Sequence, residues 1–143
     1  MDYGHWHPLT DRPDDAFGFI YAVINLQTGR QYIGRKQLIS VSKKLLPGAK
    51  RRTVTRKESD WRSYISSCRE LLDDIEYYGF ESFTFIIYKW CIGPGDLTYS
   101  EVKEQWECEV LSRDETPDGE RLWYNGNIGA IKFLKPKSYE QEN

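Results

Sequence analysis

The chain has 143 residues, a formal net charge of -2 and 39% hydrophobic residues, enough for one domain whose core folds without metal or disulfide staples. No apolar run approaches the roughly 20 residues of a membrane span, and the N-terminal MDYGHWHPLTDRPDD lacks the charged-then-apolar order of a secretion signal. Cys68, Cys91 and Cys108 are odd in number and widely spaced, with no C-x-x-C or His/Cys ligand pattern. A soluble cytoplasmic protein with reduced thiols, used as small apolar residues, is expected.

Residues 1–16 read as an N-terminal extension. His5 and His7, in GHWHP, have no acidic or thiol partner at ligand spacing and read as terminal decoration. FGFIYAVIN and RQYIGRK then form two strands around Leu26-Gln27-Thr28-Gly29, a polar connection with glycine at the turn. Residues 37–62 show no sustained period and read as a long basic loop, of a length that is usually functional or mobile.

From Ser66 the pattern turns helical, with Cys68, Leu71, Leu72, Ile75 and Tyr78 on one stripe, Ser67 and Glu70 spaced as a capping box, and Gly79 as the stop. FTFIIYKWC reads as a third strand. A second helix is expected from about Thr98, with Glu101 as its capping-box partner, to about Leu111. Residues 112–121 are a polar loop, LWYNGNIGAIKF an extended segment with a glycine-rich turn, and 135–143 a charged tail. The order predicts an α+β domain over 17–134, a three-stranded sheet covered by helices.

Charge is distributed unevenly. Between Arg35 and Arg62 lie ten Lys or Arg against Glu58 and Asp60, so this segment carries +8 while the rest carries -10. A concentrated cationic strip in an acidic protein suits one polyanion held in one orientation. Its candidate nucleic-acid contacts are Arg35, Lys43, Lys44, Lys50, Arg51, Arg52, Arg56 and Lys57.

Strand alternation puts Tyr32, Gly34 and Lys36 on one face, and pairing of the two strands can bring Tyr21 to that face, with Gly34 leaving backbone uncovered beside the phenols. A tyrosine acting as a base must overcome a reference pKa of about 10, and cations lower that barrier. Lys36 and Arg35 are the nearest in sequence.

Ile20-Tyr21, ten intervening residues and Tyr32-Ile33-Gly34 resemble the signature of the GIY-YIG nucleases, with Phe19 where the family has glycine. Tyr64, Ser66, Ser67, Gly79 and Phe83 resemble the family's middle block, EVKEQWECEVL its glutamate helix, and Trp123-Tyr124-Asn125 its closing Tyr-Asn element. The resemblance covers roughly residues 17 to 130 and is nearest in flavour to short phage-type endonucleases. It implies a three-stranded antiparallel sheet flanked by helices, and hydrolysis of DNA phosphodiester bonds with one Mg2+ or Mn2+ ion held by a glutamate.

Carried over, Tyr21 is the leading general base, assisted by Tyr32. Lys36 and Arg62 jointly replace the family's arginine, Tyr64 belongs to the middle block, and Asn125, in competition with Asn127, is the closing asparagine. For the metal, Glu104 is favoured over Glu101, because Glu104 shares a stripe with Cys108 and Leu111 while Glu101 is occupied as a cap. The implied partner is double-stranded DNA, with a homodimer possible, in a host cytoplasm if the gene is phage encoded. The alternative from another class is a nucleic-acid-binding module on this scaffold whose catalysis is lost or partner-dependent.

Overall fold

A computed structural model describes residues 1–129. In chain order these form β1 (His7–Pro8), β2 (Gly18–Asn25), β3 (Gln31–Gln37), β4 (Ile39–Lys44), β5 (Thr53–Glu58), α1 (Arg69–Tyr78), a 3-10 turn (Phe80–Ser82), β6 (Phe83–Cys91) and α2 (Pro94–Glu107). The expected α+β class holds. The 135–143 tail lies outside the described residues.

The main sheet runs β1-β6-β2-β3. β2 is central and antiparallel to both neighbours, which explains why GFIYAVIN is apolar nearly throughout rather than alternating. Its two faces feed two cores. Phe19, Tyr21 and Val23 pack with Trp6, Trp61, Leu71, Phe85 and Ile87 on the α1 side. Ile20 packs with Ile33, Cys91, Leu97, Val110 and Trp123 on the α2 side. Cys91 is fully buried there as a small apolar residue.

The sheet has a fourth strand where three were expected. The strand comes from the supposed extension: β1 lies parallel to β6 with His7 opposite Ile86, and the Leu9 amide donates to the Ile87 carbonyl. Trp6 is 2% exposed, lies edge-on to Phe19, Tyr21 and Phe85, and donates its indole N–H to the Trp61 carbonyl at 2.8 Å. His5 packs against Phe80 and Phe85. These residues therefore build the core, and the indication in the sequence was Trp6, too large an apolar surface to leave in water.

Residues 37–62 also differ from expectation. They form a two-stranded ribbon in which Ile39 pairs with Glu58 and Lys44 with Thr53. Both ends are pinned, by fully buried Leu38 and Trp61 and by the Ser59 amide donating to the Leu38 carbonyl. Beyond Ile39 every residue of β4 and β5 is exposed. At the base, Glu58 accepts hydrogen bonds from Arg12 and the Trp61 indole, which hold its carboxyl down at about 2.

Trp6→Ala is expected to destabilise the fold by about 3–5 kcal/mol, the usual cost of emptying a buried tryptophan site, read from urea unfolding. A change below about 1 kcal/mol would show that the N-terminal strand is only laid on the surface.

Candidate active site

The pairing of β2 with β3 sets Tyr21 opposite Gly34. A Cβ on Gly34 would lie 2.6 Å from the Tyr21 ring tip and 2.8 Å from Tyr32 Cε1, so the phenol occupies the space that any side chain would take. Tyr21 thereby meets Tyr32 at 6.1 Å and Tyr64 at 6.5 Å between ring centroids. The shared face expected for the two tyrosines and Lys36 is present. Phe19, in the place of the family's glycine, is fully buried against Trp6, Trp61 and Trp90 and belongs to the core.

Burial dominates the electrostatics of this cluster. Tyr21 is 1% exposed, and desolvation, with the neighbouring Tyr32, pushes its pKa well above 10. Tyr32 is pushed up to about 12 by burial, then by Cys68 and Glu101. The Ser66 hydroxyl hydrogen-bonds in favour of both phenolates but does not outweigh desolvation.

The expected lowering by cations is absent because the cations are held by other partners. Lys36 Nζ pairs with Asp60 at 2.7 Å and sits 4.0 Å over the Tyr64 ring. Arg35 pairs with Glu101 at 3.6 Å and donates to the Thr98 hydroxyl. Arg62 is elsewhere: it stacks 4.4 Å over Trp61, pairs with Glu58 and donates to the Asp2 carbonyl. It serves the base of the ribbon rather than the tyrosines.

The capping role expected for Glu101 is absent from the structure. α2 starts at Pro94, a residue pre-organised for the first helical position, with Gly93 as its N-cap. Thr98 is therefore inside the helix, its hydroxyl bonded to the Pro94 carbonyl, and no capping box engages Glu101. The stripe facing the sheet is Leu97, Glu101 and Gln105. Leu97 enters the core, Gln105 donates to the Ile33 carbonyl at 3.0 Å, and Glu101 lines a depression with Tyr32, Ser67, Cys68 and Asn125. Burial raises the Glu101 carboxyl pKa, partly offset by Arg35. Glu104 lies off that stripe, where it accepts from the Cys108 thiol at 3.3 Å. The stripe proposed for Glu104 ends on exposed Cys108 and Leu111, while Glu104 itself is half-buried, with its charge felt by Tyr88 of β6.

Asn125 accepts from the Ile33 amide at 3.1 Å and donates to the Ile33 carbonyl at 2.9 Å. It takes the place of a neighbouring strand on the open edge of β3. Asn127 lines the same depression. The preceding Tyr124 donates to Asp74 and lies 4.1 Å beneath the Arg30 guanidinium. Arg30 is itself buried and reaches Glu70, Asp74 and Glu120. That pairing occupies Glu70, and the N-cap of α1 is Cys68 with no side-chain cap bond, so the Ser67–Glu70 box does not form.

Lys43, Lys44, Lys50, Arg51, Arg52, Arg56 and Lys57 all lie exposed on the ribbon or its tip, while exposed Arg35 stands on β3 at the rim of α2. Residues not singled out from sequence are Gln105, Arg30 and Arg121, whereas Ser66 is part of the middle block read from sequence. Arg121 donates to the carbonyls of Val110, Ser112 and Trp123 and so ties the closing segment to the end of α2. The Leu97-Glu101-Gln105 spacing was visible once Pro94 was taken as the first helical residue. Nothing in sequence marked the two arginines, since their partners are distant carbonyls and carboxylates.

Paired tyrosines on adjacent antiparallel strands, a glycine beneath them, and a helix glutamate beside the second define a domain of the GIY-YIG nuclease class. The chain belongs to the family described as "Putative endonuclease segE, GIY-YIG domain", whose model matches residues 4–128. The match includes the N-terminal strand. No curated protein and no solved structure matches the chain. Among the described residues no helix is long and apolar enough to cross a membrane.

Removing the Asn125 amide leaves the buried Ile33 N–H without its acceptor, while the Ile33 carbonyl keeps the Gln105 donor. Asn125→Ala is expected to cost about 2–3 kcal/mol in chemical denaturation. Asn125→Asp is expected to cost as much, because it puts a carboxylate in a buried place against the Ile33 carbonyl oxygen. Full stability of either variant would show that the edge is held by other groups.

Proposed function

We propose that the protein is a metal-dependent endonuclease that hydrolyses phosphodiester bonds of double-stranded DNA, using one Mg2+ or Mn2+ ion. The observation that carries this reading is Glu101 held beside Tyr32 in one solvent-open depression, with Arg35 at 3.6 Å from the carboxylate. The resemblance to phage-type endonucleases supports a phage or prophage origin and action in the host cytoplasm.

No group of three or more His, Cys, Asp or Glu among the described residues could hold a metal ion. A single carboxylate nevertheless fits Mg2+, which keeps several waters and binds through one or two carboxylates plus substrate phosphates. Glu101 is the residue that would hold it, in preference to Glu104. When bound, the ion stabilises negative charge growing on the phosphate and lowers the pKa of bound water.

The chain's own groups divide the remaining work. Arg35, released from Glu101 by competition, is placed to contact a phosphate oxygen. Tyr32, whose ring borders the depression, is the proton acceptor this geometry favours over fully buried Tyr21, which positions it. Its cost is clear: with a pKa of about 12, the phenolate lies five units above neutrality, roughly 7 kcal/mol. Proton transfer is therefore tied to the positive charge that the metal ion would bring. One cleft addresses one phosphodiester, so cutting both strands calls for two copies on the duplex, which supports a homodimer on DNA.

With supercoiled plasmid and Mn2+, Glu101→Gln is expected to lower the nicking rate at least 100-fold, and Glu104→Gln less than about threefold. Equal losses would contradict the assignment. No cutting by the wild type with any divalent ion, alongside binding, would support a binding module instead. Because the acceptor titrates far above neutrality, the rate should climb about tenfold per pH unit between pH 6.5 and 8.5, and that climb should be lost in Tyr32→Phe. A plateau at pH 7 in the wild type would exclude a phenol with this pKa as the acceptor.

A further inference from the structure

We infer that the β4–β5 ribbon is a sequence-reading element that enters the major groove of duplex DNA through its hydroxyl face. The proposal takes from the endonuclease reading only that the ligand is duplex DNA.

Opposite residues of an antiparallel pair point to the same side. The register therefore sorts the ribbon into two faces of different chemistry. One carries Ser40 with Lys57, Ser42 with Thr55, and Lys44 with Thr53. The other carries Ile39 with Glu58, Val41 with Arg56, and Lys43 with Val54. Ile39 packs on the core, which turns the mixed face toward the domain at its base. The first face holds four hydroxyls and two ammonium groups, all exposed, with no acid and no apolar side chain.

Phosphate binding alone does not call for that composition. Cations and hydroxyls both contact phosphates, but serine and threonine hydroxyls also donate to or accept from base edges, and lysine also meets the acceptors of guanine. Dimensions agree. Six residue pairs at about 3.4 Å each give a ribbon of roughly 20 Å, and a major groove about 12 Å wide admits a two-stranded ribbon. Residues 39–57 contain seven Lys or Arg and no Asp or Glu, so the whole arm is complementary to DNA in charge. Rigidity at the base supports reading, because Glu58 is fixed by Arg12, Trp61 and Arg62 and ties the ribbon to the domain carrying Tyr32 and Glu101.

The test is selection from a pool of randomised 30-bp duplexes in EDTA, so that binding is read without cutting. The wild type should enrich a motif. The Ser42→Ala/Thr55→Val double variant should lose at least tenfold of that enrichment while its affinity for the unselected pool falls less than about threefold. The Lys50→Ala/Arg51→Ala double variant, at the ribbon tip, should keep the motif, lose about tenfold in affinity and flatten the salt dependence by about two phosphates. Methyl green, a major-groove ligand, should compete and netropsin should not. A wild type that enriches nothing, a motif retained without the hydroxyls, or competition by netropsin alone would overturn the proposal. Failure of the nuclease reading would show separately, as absent nicking with Mg2+ or Mn2+ while the metal-free selection still reports on the ribbon.

Discussion

The contact on which the site depends is that of the Tyr21 ring with the bare backbone of Gly34. No other residue at position 34 leaves room for a phenol, since even a methyl group would overlap the ring. With that contact made, Tyr21 is removed from water and backed by Trp6, while Tyr32 stands beside it and Tyr64 closes on it from the segment before α1. The aromatic core and the candidate site are thus one cluster, and the identity of the core residues limits where each hydroxyl can stand.

Burial sets the chemistry of that cluster more than charge does. A phenol near neutrality would need cations at close range, yet Lys36 and Arg35 are each committed to a carboxylate. Both tyrosines consequently hold their protons firmly in the free protein. On the proposed function such a site would need a metal ion to supply charge, and the Arg35–Glu101 pair would then separate into a phosphate contact and a metal carboxylate. The ion pair with Arg35 offsets part of the burial penalty on the half-buried Glu101 carboxylate.

The sequence revealed the hairpin, the third strand and the shared face of Tyr21, Tyr32 and Lys36, because period-two alternation fixes faces once strands pair. It was less informative wherever the partner is remote. The two-residue strand after Trp6, His7–Pro8, joins the sheet by pairing with a strand almost eighty residues away. The ribbon reads as loop because its solvated faces show no hydrophobic period. Glu101 was set aside for a cap that does not form, since Pro94 and Gly93 start the helix one turn earlier. The charge asymmetry located the cationic arm correctly, but only the pairing register separates its hydroxyl face from its mixed face.

The claim that Glu101 and the tyrosine cluster form one metal-dependent centre is tested most directly by Mn2+ binding, followed by electron paramagnetic resonance in a complex with a non-cleavable phosphorothioate duplex. The account expects one bound ion in the wild type and in Glu104→Gln, and loss of that ion in Glu101→Gln. Retention in Glu101→Gln with loss in Glu104→Gln would contradict it.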